Sequence, residues 1–175
     1  MAGRALDAAA RETRLAGIRC VILDIDGVLT DGRVILGPEG LELLAFHVRD
    51  GFGIKRMLRA GLHVAVISGR SSPAARARLE ALGVTDIHQG RDDKLPAFEQ
   101  ILAAQALAPA TVLYVGDDTL DWPVMSRVGL AVTVADAHPA LKAEVHWTTR
   151  AAGGQGAVRE VADALLAARG VDAFG

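Results

Sequence analysis

The stretch VILDIDGVLTDG at residues 21–32 constrains the fold more than any other part of the chain. An apolar run ends abruptly at Asp24 and Asp26, and a glycine-containing turn follows, as expected where a buried strand leaves its sheet. In an open parallel sheet, ligands bind outside the carboxyl ends of the strands, so both aspartates are candidate site residues. If the chain stays extended through Asp26, alternation points both carboxylates into one small volume. Two like charges held so close require a cation.

Strand-like and helix-like patterns alternate along the rest of the chain. The predicted helices cover residues 5–16, 50–60, 71–82, 94–106, 120–128 and 156–169, and the predicted strands cover residues 19–25, 62–68, about 87, 111–115, 130–134 and 145–148. This order predicts one α/β domain over residues 1–175, a Rossmann-like parallel sheet flanked by helices and joined by right-handed crossovers.

Residues 33–48 are predicted to form a β-hairpin, because two strand-like runs flank the turn-forming tetrad GPEG. No neighbouring helix in sequence covers its apolar residues, which are Val34, Ile35, Leu41, Leu43, Leu44 and Phe46. A large exposed apolar patch usually marks association. The hairpin is therefore a candidate subunit interface.

Composition limits the partners and the compartment. The net charge is −2, so the chain has no basic field that would attract nucleic acid or an anionic membrane. The single cysteine, Cys20, has no disulfide partner and no metal-ligand spacing, so we expect a buried small side chain in a reducing cytoplasm. Because the sequence contains neither a signal-peptide pattern nor a run of 18 apolar residues, we expect a soluble protein.

Three of the predicted core strands end in polar residues. These are Asp24 and Asp26 after the first strand, Ser68 and Arg70 after the second, and Asp117, Asp118 and Asp121 after the third, with Lys94 opening the helix before the third. If the strands are neighbours, the side chains meet at one sheet edge. Oxygen ligands without histidine or cysteine favour Mg²⁺, which Asp24, Asp117 and a backbone carbonyl near Asp26 could hold.

This set of residues suits the hydrolysis of a phosphate monoester. A bound Mg²⁺ would offset the repulsion between carboxylate and phosphate, so that Asp24 could attack phosphorus and form an aspartyl-phosphate. Asp26 could protonate the leaving oxygen and afterwards activate water. Ser68 would bind phosphoryl oxygens, and Lys94 would offset negative charge. Structural roles stay open: Ser68 could cap a helix, and Asp118 could cap the next one.

The chain resembles the haloacid dehalogenase superfamily, which has four motifs in a fixed order. The corresponding positions are residues 24–30, Ser68, Lys94 and residues 116–121. A closer resemblance, over about residues 18–165, is to the 3-deoxy-D-manno-octulosonate 8-phosphate phosphatases. The segments that carry it are, in order, DIDGVLTDG, FHVRDGFGIKRM, ISGRSS, QGRDDK, VGDDTLDWPVM, VADAHP and AAGGQGAVREV. The resemblance implies a haloacid dehalogenase-like fold without a cap domain and Mg²⁺ dependence. It implies a homotetramer with active sites at subunit interfaces, in which the hairpin builds a central barrel. The implied product is the eight-carbon sugar acid of the lipopolysaccharide inner core of Gram-negative bacteria.

The resemblance also implies which residues contact the phosphate or the sugar carboxylate, for which the planar fork of arginine is suited. They are Asp26, His47, Val48, Arg49, Asp50, Gly51, Lys55, Arg70, Arg78, Lys94 and Asp121, beside the metal ligands Asp24, Asp26 and Asp117. Two features depart from the family pattern. His47 stands where Asn or Asp is expected, and only VDAFG follows Gly170.

Other functions remain open. A related phosphatase for a nine-carbon sugar acid phosphate would use the same phosphate-handling residues. A signalling receiver domain also forms an aspartyl-phosphate, but Asp26 as an acid-base group argues against a long-lived adduct. A non-catalytic phosphatase-like module is the third alternative, and the intact set Asp24, Asp26, Lys94 and Asp117 argues against it.

Overall fold

The structure is a computed structural model that describes residues 5–172. The strands are β1 (Cys20–Leu23), β2 (Ile35–Leu36), β3 (Glu42–Leu43), β4 (His63–Ile67), β5 (Asp86–His88), β6 (Val112–Gly116), β7 (Leu130–Thr133) and β8 (Trp147–Thr148). Strands β5, β4, β1, β6, β7 and β8 lie side by side in that order, and each pair is parallel. The predicted α/β class is confirmed, and β1, β4 and β6 are neighbours.

The helices are α1 (Ala8–Ala16), α2 (Val48–Arg59), α3 (Pro73–Leu82), α4 (Leu95–Gln105), α5 (Trp122–Met125), α6 (Pro139–Lys142) and α7 (Ala157–Ala168). Helix α2 begins two residues earlier than predicted, because His47 already caps it with Nδ1. The helix predicted over residues 120–128 is shorter: a 3₁₀ turn over Thr119–Asp121 leads into α5, which has Pro123 in its first turn. The short helix α6, which begins at Pro139 and is capped by His138, was not among the predicted elements.

Side chains of the central strand β1 alternate between two apolar layers. Val21 and Leu23 pack with α1, α2, α3 and α7, whereas Cys20 and Ile22 pack with α4, α5 and α6. Every residue of β1 is fully buried, which explains its unbroken apolar run. Burial raises the pKa of the Cys20 thiol to about 12, with a smaller contribution from Asp86, so the expected buried small side chain is confirmed.

The hairpin forms as an antiparallel pair in which Ile35 lies opposite Leu43, but its strands are shorter than residues 33–48 suggest. Leu36 and Leu43 are 72% and 50% exposed. The expectation that Leu44 and Phe46 lie uncovered was wrong, because both pack against the core. Alternation along the chain points residues 42, 44 and 46 towards the domain and residues 41 and 43 away from it.

A helix that crosses a bilayer needs about 20 predominantly apolar residues, and this criterion applies to the helices of residues 5–172. None of them meets that requirement.

Candidate active site

A cavity of about 220 Å³ lies at the carboxyl ends of β1, β4 and β6. The cavity is lined by the polar residues that the sequence predicts at the strand ends. Four residues that the sequence analysis did not single out also line it: Gly32, Gly69, Asp92 and Leu120. The predicted residues that line the cavity are Asp24, Asp26, Ser68, Arg70, Lys94, Asp117, Asp118 and Asp121. The neighbouring positions of the three strands account for this convergence.

The two carboxylate oxygens of Asp24 have different surroundings. The residue directly follows β1 and remains tied to the sheet, because its N–H donates to the carbonyl of Val115 at 3.0 Å. Oδ1 accepts a hydrogen bond from the Ile25 N–H at 2.7 Å and forms an ion pair with Lys94 Nζ at 3.1 Å. Oδ2 accepts none from the described residues. The structure therefore leaves Oδ2 as the oxygen that can attack an electrophile.

Asp26 reaches the cavity by a different route from the one that alternation suggests. The strand ends at Leu23, and the carbonyl of Ile25 accepts hydrogen bonds from the N–H groups of Val28, Leu29 and Thr30 in a tight turn. The condition that the chain stays extended through Asp26 was wrong. The Asp26 carboxylate nevertheless lines the cavity, where Oδ1 accepts a hydrogen bond from Arg70 Nη1 at 2.9 Å.

Three carboxylates lie close enough to share one cation. Oxygens of Asp24, Asp117 and Asp121 lie within 4.8 Å of one another. Gly27 makes this approach possible, since its φ is +82° and a Cβ there would lie 2.0 Å from Asp117 Oδ2. The Asp26 side chain is not part of this cluster, and a contribution from its backbone carbonyl stays a prediction.

Burial and mutual repulsion make this cluster electrostatically unfavourable on its own. Burial first, and then the charge of Asp121, raise the pKa of Asp24 to about 8 and that of Asp117 to about 7. Lys94 is the only cationic side chain in contact with the cluster among the described residues. Hard oxygen donors with excess negative charge fit a divalent cation such as Mg²⁺, which would relieve this repulsion.

Asp121 connects the cluster to the protein interior. Its Oδ1 accepts hydrogen bonds from Lys94 Nζ at 2.7 Å and from the Tyr114 hydroxyl at 2.8 Å, and its Oδ2 accepts from the N–H groups of Asp117 and Asp118. Burial alone would lower the pKa of Lys94, but the charges of Asp24 and Asp121 reverse this effect and raise it. Lys94 therefore stays protonated. A contact between Asp121 and substrate stays a prediction.

Ser68 and Asp118 make local backbone contacts. Ser68 is buried, and its Oγ accepts a hydrogen bond from the Arg70 N–H at 3.3 Å, whereas Ser72 is the residue that caps α3. Asp118 is exposed and caps the following 3₁₀ turn by accepting from the Thr119 N–H at 2.6 Å. The capping alternative therefore describes Asp118, while Ser68 shapes the loop that carries Arg70.

The other predicted substrate contacts lie on α2 and α3, outside the residues that line this cavity. Asp50 is buried and ties α2 to α7 by accepting from the N–H groups of Gly156 and Arg159. Arg78 lies directly over Gly51, where a Cβ would come within 2.8 Å of its Nη2. The remaining four contacts stay predictions as well: His47 caps α2, and Val48, Arg49 and Lys55 are exposed.

Two residues with polar contacts at the site escaped the sequence reasoning. One of them is Tyr114, whose hydroxyl is the only polar side-chain group within β6. A single hydroxyl in an otherwise apolar strand could have predicted a buried hydrogen bond near the site. Glu42 is the other residue, and it contacts Arg70 from the hairpin. Its signal was a single acidic residue within an otherwise uncharged stretch, residues 40–48.

Comparison with known proteins agrees with this geometry. Residues 82–161 match the family model for haloacid dehalogenase-like hydrolases. The chain is 53% identical over 153 residues to the 3-deoxy-D-manno-octulosonate 8-phosphate phosphatase KdsC of Escherichia coli K12, which covers 87% of this chain and 81% of that relative. The chain belongs to the 3-deoxy-D-manno-octulosonate 8-phosphate phosphatase family. It is thus a haloacid dehalogenase-like hydrolase, as its motifs predict.

Solved structures support the same family assignment. The phosphatase of this family from Yersinia pestis superposes with a TM-score of 0.91 at 47% identity, covering 92% of this chain and 87% of that one. The enzyme from Moraxella catarrhalis, solved with magnesium, phosphate and the sugar acid KDO, gives a TM-score of 0.91 at 33% identity, covering 94% of each chain. The carboxylate cluster described above is consistent with membership of this family.

Proposed function

We propose that this chain hydrolyses 3-deoxy-D-manno-octulosonate 8-phosphate to 3-deoxy-D-manno-octulosonate and phosphate. The observation that carries the proposal is the arrangement around Asp24. Its Oδ1 contacts the Ile25 N–H and Lys94, its Oδ2 accepts no hydrogen bond from the described residues, and the carboxylates of Asp117 and Asp121 lie close to its side chain. The family membership supports the choice of sugar acid.

Each proposed catalytic residue has a separate role in a mechanism that passes through an aspartyl-phosphate. Asp24 Oδ2 attacks phosphorus, and Lys94 holds Oδ1 so that the other oxygen faces the substrate. Asp26 donates a proton to the departing sugar oxygen and then accepts one from the water that hydrolyses the aspartyl-phosphate. Asp24, Asp117 and the Asp26 carbonyl would hold a Mg²⁺, which would supply positive charge to offset the repulsion between the carboxylate and the phosphate. Ser68 contributes to phosphoryl binding.

Substrate binding and assembly complete the proposal. Arg70 lines the cavity and binds the anionic sugar, and the exposed residues near the start of α2 read the sugar from a subunit interface. The exposed apolar side of the hairpin supports a homotetramer. The single domain acts in the cytoplasm, in the synthesis of the lipopolysaccharide inner core.

The test is a phosphate-release screen of eight-carbon and nine-carbon 2-keto sugar acid phosphates, with and without Mg²⁺. We expect the eight-carbon substrate to give the highest kcat/KM and EDTA to abolish release. Asp24→Asn serves as the inactive control. A preference for the nine-carbon substrate would replace the proposed substrate. Absence of release with every ester would favour a non-catalytic module, and a lasting phosphoryl adduct after addition of a small phosphodonor would favour a receiver domain.

A further inference from the structure

The guanidinium of Arg70 bridges two carboxylates that lie on different elements. Nη1 donates to Asp26 Oδ1 at 2.9 Å, and Nη2 donates to Oε2 of Glu42 on β3. The contacts form a continuous chain from the hairpin, through Arg70, to the residue proposed to move the proton. Ionised pairs of this kind are the stronger and more directional hydrogen bonds of proteins.

Glu42 occupies the only inward-facing polar position of its strand segment. Leu44 and Phe46, two and four residues further on, pack against the core, whereas Leu41 and Leu43 face away and are exposed. The Glu42 side chain is only 23% exposed. Its Oε1 is buried and accepts no hydrogen bond from the described residues, so Arg70 alone offsets the charge. Because a partly buried carboxylate without a charged partner is unfavourable, loss of the contact with Arg70 would cost free energy.

Arg70 needs such support because its side chain is long. Its backbone is fixed, since its N–H donates to Ser68 Oγ and its carbonyl accepts from the Gly90 N–H at 3.2 Å. The side chain itself is 41% exposed. Several rotatable bonds separate the fixed backbone from the guanidinium, and ordering them costs conformational entropy. Glu42 removes much of that freedom before substrate arrives.

We propose that Glu42 is a positioning residue that holds Arg70 at the cavity in the orientation that receives the carboxylate of the sugar acid. The inference rests on the proposed function, because it assigns that carboxylate to Arg70. When the substrate carboxylate takes the place of Asp26 at Nη1, Glu42 keeps its hold on Nη2. Asp26 is then released from Arg70 and is free to serve the leaving oxygen. Preorganisation of this kind strengthens binding without a direct contact.

The test compares Glu42→Gln with wild type on two substrates, the sugar acid phosphate and p-nitrophenyl phosphate, which has no carboxylate. We expect the KM for the sugar acid phosphate to rise about tenfold, because a misplaced Arg70 loses its ionic contact. The KM for p-nitrophenyl phosphate should stay within about twofold, since the same Arg70 contact is not used. Glu42→Asp, which keeps the charge, should recover part of the loss. The matched control is Glu39→Gln, an exposed carboxylate of the same hairpin.

A second measurement separates positioning from a structural role. In an Arg70→Met background, adding Glu42→Gln should not change the KM further, because the group that it positions is gone. Equal losses on both substrates, no loss on either, or a full additional loss in the Arg70→Met background would each overturn the inference. Failure of the proposed function would be seen in the wild type itself, as a lack of turnover of the sugar acid phosphate, so the two failures are distinguishable.

Discussion

At the residue scale, the reactivity of Asp24 follows from the unequal environments of its two oxygens. Lys94 and the Ile25 N–H both bind Oδ1 and leave Oδ2 towards the cavity. A carboxamide in this place can still accept from the Ile25 N–H, but it cannot act as the nucleophile.

We therefore expect Asp24→Asn to lower kcat by a factor of at least about a thousand while the fold is retained. The measurement is single-turnover phosphate release, with circular dichroism and thermal unfolding as the check on folding. Activity within tenfold of wild type would mean that another group attacks phosphorus.

A second residue-scale prediction uses the adjacent pair Asp117 and Asp118. Only Asp117 contributes an oxygen to the carboxylate cluster, whereas Asp118 is exposed and caps a 3₁₀ turn. Asp117→Asn should weaken Mg²⁺ binding at least about tenfold. Asp118→Asn should have little effect, because asparagine caps a helical turn as well as aspartate does. Isothermal titration with Mg²⁺ measures both. Equal losses in the two variants would contradict the division of roles.

At the scale of elements, the hairpin illustrates how far a pattern of apolar residues can be interpreted. The tetrad GPEG and the flanking runs correctly predict the antiparallel pair of β2 and β3. They do not reveal which side is covered. The structure shows that Leu44 and Phe46 pack on the core, whereas Ile35 and Leu43, which lie opposite each other, are exposed and can form an association surface.

Introducing a charge next to this exposed side should disrupt assembly. We expect Val34→Asp, at a 44% exposed position, to shift the protein to a smaller oligomer and to lower kcat/KM by about tenfold or more. Light scattering after size-exclusion chromatography, together with turnover, measures the two effects. The matched control is Val171→Asp, another exposed valine, located after α7. A fully active monomer would show that the site does not need a partner subunit.

At the scale of the whole molecule, a loop from the last third of the chain holds the catalytic turn in place. The N–H of Gly154 donates to the carbonyl of Val28 at 2.9 Å. A Cβ on Gly153 would lie 1.8 Å from the carbonyl oxygen of Gly27. The turn that follows Asp24 is therefore fixed by residues more than 120 positions away in the sequence.

Gly153→Ala should accordingly destabilise the protein by about 2–4 kcal/mol, because the methyl group cannot be accommodated against backbone atoms. Turnover should fall as well, since the turn that carries Asp26 must move. The measurement is urea-induced unfolding, with Gly17→Ala as the control. A Cβ on Gly17 would meet only the Arg14 carbonyl at 3.6 Å, an ordinary contact. Equal stability of the two variants would contradict the close packing.

Local sequence patterns were sufficient to predict the parallel α/β fold, the strands β1, β4 and β6, and the polar site residues at the ends of these strands, because apolar periodicity and glycine positions are properties of short segments. Only the folded chain shows which oxygen of Asp24 is left without a hydrogen bond, that Asp121 contacts Lys94 and Tyr114, and that Glu42 contacts Arg70. These contacts join residues on different elements. Their geometry depends on strand order, crossing angles and burial, and no local pattern specifies those.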